Sequence, residues 1–138
     1  MTTINMQTIR YINLLDKTSR VRTSKCFIYN NTIIFAVPKS MMSRAIGPNA
    51  SHIRELQERL GKKIRIISEA EGTEDAQRFI ENVVSPIKFK FLEVTPEGVL
   101  ITSGNTQVKA ALFGRNKKRL EELGKIVKDT FGLELRII

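Results

Sequence analysis

Residues 45–67 read AIGPNASHIRELQERLGKKIRII, and residues 112–138 return the same unit in altered form as LFGRNKKRLEELGKIVKDTFGLELRII. Gly47 and Gly114 lie 67 residues apart, about half of the 138-residue chain. The register holds past the glycine: Ala45, Ile46, Ile53, Leu56 and Leu60 fall on Leu112, Phe113, Leu120, Leu123 and Val127. It then slips by four residues, so that Gly61, Ile64 and Ile66 fall on Gly132, Leu135 and Ile137. Four residues is about one helical turn, so the second helix is longer while its apolar face stays inward. A short glycine loop that opens a helix brings unpaired backbone amides and the positive helix end to one point, which suits an anion. The chain carries two such loops.

Working outward from each loop gives the rest of the unit. Upstream of the first, Ile4, Ile9, Ile12 and Leu15 recur at helical spacing over Thr3–Lys17. Thr18–Lys25 is polar and basic and reads as a loop. Cys26–Tyr29, Asn30-Asn31 and Ile33–Val37 form a hairpin signal, since Asn-Asn tolerates the positive φ of a tight turn. A short helix is expected over Ser40–Ile46. Ser51 is placed to cap a helix from His52 to Leu60, which Gly61 stops before the strand Lys63–Ser68. Arg65 alternates with Ile64 and Ile66 and so leaves the core. In the second half Thr73 is expected to cap a helix that buries Ala76, Phe79, Ile80 and Val83. Ile87–Phe91 alternates as a strand, Pro96-Glu97-Gly98 turns, and Val99–Thr102 returns. Helices are expected near Gln107–Leu112 and Lys117–Thr130, with a closing strand at Leu133–Ile138. Both halves read α-β-β-α-α-β, an α+β chain of two domains, 1–70 and 71–138.

Composition narrows the function. Lys and Arg number 23 against 14 acids, a net charge of +9, which points to a polyanionic partner. Residues 1–71 hold 12 basic and 5 acidic side chains, a net +7; residues 72–138 hold 11 and 9, a net +2. On charge alone the first loop is expected to contribute more. One cysteine, Cys26, and one histidine, His52, leave no zinc motif and no metal site, and no cofactor is expected. No paired-carboxylate, Ser/His/Asp or Gly-Lys-Ser/Thr pattern is present, so an enzyme is not expected. No stretch reaches the roughly 18 apolar residues of a membrane helix, so a cytoplasmic protein without membrane contact is expected.

The two quoted strings, each a helix, a Gly-x-x-Gly-like loop, a helix and a strand, resemble type II KH domains. Two in tandem with little else are similar to the archaeal NusA-like transcription factors, which lack an S1 domain. The resemblance implies a three-stranded mixed sheet packed by helices in each half, and single-stranded RNA held by its backbone at the loops. RNA polymerase is implied as a further partner, and transcription termination or antitermination as the role. The RNA contacts so implied are Gly47, Pro48, Asn49 and Ala50, and Gly114, Arg115, Asn116 and Lys117; Arg44, His52 and Arg54 flank the first loop and Lys118 follows the second, and their positions make them further candidate contacts. Arg115, Lys117, Lys118 and Arg119 place four cations near one helix start. Where the pattern has a final glycine, this chain has Ala50 and Lys117. A Cβ there crowds a nucleotide and opposes left-handed angles by about 1–2 kcal/mol. Two other readings stay open: a ribosomal or ribosome-assembly KH protein, and a KH-fold protein-interaction adaptor with little RNA affinity.

Overall fold

The computed structural model describes residues 6–138; the start of the helix expected from Thr3, with Ile4, lies outside them. Two compact units result, one running to Glu69 and the other spanning Ala70–Ile138. The first contains α1 (Met6–Ser19), β1 (Lys25–Tyr29), β2 (Thr32–Val37), α2 (Met42–Ile46), α3 (Ser51–Leu60) and β3 (Lys63–Ser68). The second contains α4 (Ala76–Val84), β4 (Phe91–Thr95), β5 (Gly98–Thr102), α5 (Thr106–Phe113), α6 (Lys118–Phe131) and β6 (Leu135–Ile137).

Each sheet is mixed, for a reason visible in the connections. A two-residue turn allows only antiparallel pairing, whereas a parallel neighbour needs a long crossover. Asn30 and Asn31 both take positive φ, 51° and 58°, and fold β1 back on β2. The α2–α3 crossover then returns β3 parallel to β2, with Ile33 opposite Ile64 and Phe35 opposite Ile66. The second unit repeats this as β4-β5-β6, with β5 parallel to β6 and Ile101 opposite Ile137. Ile33, Phe35, Ile64 and Ile66 pack with Tyr11, Leu15, Ala45 and Leu56 into the first core. Arg65 pairs with Ile34 in the register, on the other side of the strand from Ile64 and Ile66. The second core buries Phe79, Ile80 and Val83 of α4, Leu112 of α5 and Leu123, Ile126 and Val127 of α6. Phe79 meets Phe131 edge to face at 5.9 Å between ring centres.

Local differences from the expected elements each have a cause. α1 turns Tyr11, Leu15 and Ser19 inward and leaves Ile9 43% exposed. Tyr11 takes the core place beside Leu15, with Gln7 Nε2 donating to its hydroxyl at 2.7 Å. α1 also runs on to Ser19 before Arg20 turns left-handed at φ 64°. The Ser19 hydroxyl closes that end, donating to Leu15 O at 2.8 Å and accepting from Val21 N–H at 3.2 Å. Val21 is buried, so the expected basic loop is pinned. Thr73 opens a single 3-10 turn, Thr73–Asp75, rather than capping α4. Ile87–Lys90 alternates in burial without being a strand; β4 starts at Phe91, although Lys90 N–H already reaches Thr102 O at 2.9 Å.

Candidate functional site

The two loops have different sequences and the same backbone. Gly47 (φ 79°, ψ 163°) and Gly114 (φ 72°, ψ 175°) occupy a region closed to other residues at low cost. Asn49 (56°, 33°) and Asn116 (55°, 30°) are left-handed, a conformation that asparagine tolerates. Ala50 (60°, 29°) and Lys117 (59°, 23°) follow in the same left-handed conformation, where neither residue is at ease. In each copy the glycine N–H ends the preceding helix, on Ser43 O and Ala110 O at 2.9 Å. Its carbonyl accepts from the fourth loop residue, at 3.1 Å from Ala50 N–H and 3.2 Å from Lys117 N–H.

α3 and α6 therefore begin straight after a residue with a reversed backbone. Ser51 does not cap α3; it is the first helical residue, and Ala50 before it offers no side-chain acceptor. Lys117 likewise makes no capping bond to α6. Ser51 N–H and Lys118 N–H already donate to Pro48 O and Arg115 O, so the first-turn amides after them, which have no side-chain cap, are the groups an anion would take.

Side chains pack over the loop glycine in each copy, His52 and Ser51 over Gly47 and Arg119 over Gly114. A Cβ on Gly47 would lie 2.8 Å from His52 Cγ and Nδ1, and one on Gly114 would run into Arg119 Cγ. Residues 52 and 119 are related by the same 67-residue offset as the glycines, so the second was findable from the first. His52 Nδ1 sits 2.9 Å from Arg44 O, tying α3 to the end of α2. Arg119 is half-buried and pairs with Glu122. It braces the loop rather than projecting from it.

The remaining expected residues sort by copy. In the first, Pro48 and Asn49 are exposed, and exposed Arg54 donates from Nη1 to Asn49 O, so part of its guanidinium is engaged within the loop. The Arg44 side chain is exposed, and only its backbone carbonyl receives His52. In the second, Arg115, Asn116, Lys117 and Lys118 are all exposed, and the three cations make no ion pair among the described residues. Burial of Arg65 lowers its pKa from the usual value. Among the described residues no group of three or more His, Cys, Asp or Glu could hold a metal, and no helix is long and apolar enough to cross a membrane.

Two helix–glycine loop–helix crossovers, each on a mixed three-stranded sheet, define a protein of two tandem type II KH units. The KH domain family model matches residues 32–82, from β2 through the first loop and β3 into α4. The protein of Methanocaldococcus jannaschii named "Probable transcription termination protein NusA" is 29% identical over 128 residues, covering 91% of this chain and 68% of that one. Its namesake from Methanococcus vannielii is 25% identical over 121 residues, covering 86% and 68%. The namesake from Halococcus morrhuae is 26% identical over 84 residues, covering 61% and 58%. The crystal structure of APE1850 aligns with a TM-score of 0.67 at 26% identity, across 98% of this chain and 100% of that one. The chain is thus similar, along most of its length, to archaeal NusA-like proteins, and carries a KH domain match in its first half.

Proposed function

We propose that this protein binds single-stranded RNA by its backbone at both loops and acts in transcription termination or antitermination, together with RNA polymerase. It works in the cytoplasm as a binding protein and not as an enzyme. The observation that carries the reading is the congruence of the two loops: each sets glycine, a left-handed pair and an uncapped helix start in one order, on a chain of net charge +9. Such a loop lets a phosphate approach main-chain N–H groups, and each KH module accommodates about four nucleotides. The transcriptional role is supported by the names of the relatives.

Titration of labelled single-stranded RNA tests it. Log affinity should fall against log salt with a slope of about −0.7 per phosphate neutralised. Gly47→Asp and Gly114→Asp each add a negative charge within the loop and should each weaken binding at least tenfold. Circular dichroism checks their fold, and Lys117→Gln with Lys118→Gln tests the same site with the glycines intact. No binding at low salt, or no loss in any of these variants, would overturn the reading. The adaptor alternative is favoured by one feature, the Cβ atoms that Ala50 and Lys117 bring to the left-handed position. Recovery from cells with ribosomal particles and not with polymerase would instead favour a ribosomal role.

A further inference from the structure

α1 and the last turn of α3 enclose a groove of about 600 Å³ that the RNA reading does not use. Its apolar lining is Met6, Ile9, Leu14 and Leu60. Met6 is 86% exposed and Ile9 43%, so α1 presents on this side a stripe that the core leaves uncovered. The same groove is bordered by Arg10 and Lys17 on α1 and Arg59 on α3, with no acidic residue in its lining. Arg10 and Lys17 are exposed, and Arg59 reaches exposed Glu55 at 3.4 Å, a pairing that water and salt weaken to little.

Met6, Ile9, Arg10, Asn13, Leu14 and Lys17 follow one another at helical spacing along α1. That stripe is about 16 Å long at about 1.5 Å per residue, the footprint of a three-turn helix laid alongside. Thioether and branched aliphatic side chains adapt well to such a helix. We propose that this groove binds an acidic amphipathic helix of a partner protein. Its apolar face rests on Met6, Ile9, Leu14 and Leu60, and its carboxylates meet Arg10, Lys17 and Arg59. A nucleic acid fits less well, because none of the lining side chains is an aromatic on which a base could stack. The groove lies at the C-terminal end of α3 and the glycine loop at its N-terminal end, about 14 Å apart along the helix. RNA and protein can therefore be held at once.

The test is amide-resolved NMR of the full chain titrated with a synthetic 16-residue helical peptide, rich in glutamate, with leucines along one face. Amides of Ile9, Asn13 and Leu60 should shift, and Ile9→Ser and Arg10→Glu should each weaken binding at least tenfold while leaving the spectrum folded. A peptide of the same composition, scrambled to destroy the apolar face, should bind at least tenfold less. Equal binding of the scrambled peptide, shifts elsewhere, or unchanged affinity in both variants would overturn the proposal. It would also fall if single-stranded RNA moved these same amides, or if the peptide bound only after removal of residues 1–5.

Discussion

At Gly61, Gly47 and Gly114 the same demand for positive φ meets three different surroundings. Nothing lies within 4 Å of a Cβ built on Gly61, so Gly61→Ala carries only the conformational penalty, about 1 kcal/mol. Gly47→Ala adds contact with His52 and Ser51 at 2.8 Å. Gly114→Ala adds Arg119 Cβ at 2.9 Å and its backbone N at 3.0 Å, atoms that cannot swing away, for about 3 kcal/mol in all. Urea denaturation at unchanged m-value should rank the losses Gly61, Gly47, Gly114. Ala50→Gly should go the other way, gaining about 0.5–1 kcal/mol by relieving the left-handed alanine. Cys26 belongs at this scale too. Burial pushes its thiol up to about 12 from 9.0. A folded pKa above the unfolded one means the unfolded chain ionises first, so stability is full below pH 9 and falls as pH rises toward 12. The difference between wild type and Cys26→Ser in denaturation at pH 8 and pH 10.5 should show that loss in the wild type alone. Cys26 keeps some accessible surface, so native alkylation is slowed rather than abolished.

Helices and strands differ in how plainly the chain announced them. α3 and α6 were legible because apolar spacing and a terminating glycine agreed: Gly61 and Gly132 close them at φ 65° and 70°. The four-residue slip in the repeat is the difference between a 10-residue α3 and a 14-residue α6. The start of α3 was not legible. Serine is a common cap, and only the left-handed backbone of Ala50 moves the cap one residue earlier. β4 was misplaced because period-two burial needs no ladder, as Ile87–Lys90 demonstrates. The glycine pattern names candidate site residues, but not the bonds their side chains make. That Arg54 and His52 bond back to the backbone of the loop region depends on side-chain reach. An element-scale consequence concerns the hairpin: Asn31→Gly keeps the positive φ of 58° without a Cβ, and should raise thermal stability by a few tenths of a kcal/mol or more.

For the whole molecule, the net +7 of the first half argued that its loop would dominate. Where the cations sit argues the opposite. The first loop has Arg44 and a partly engaged Arg54, whereas the second exposes Arg115, Lys117 and Lys118 outside any ion pair among the described residues. Replacing those three by glutamine should flatten the salt slope of RNA binding by about 2, against about 1.4 at most for Arg44→Gln with Arg54→Gln. Equal flattening by the two sets would show that long-range charge, not loop charge, sets the slope. The matching torsions of the loops carry a wider implication. Because backbone shape is conserved while charge is not, Arg115 and Lys117 could be transplanted onto positions 48 and 50 without refolding anything. A duplicated chain of this kind can retune the grip of one hand while the other holds on.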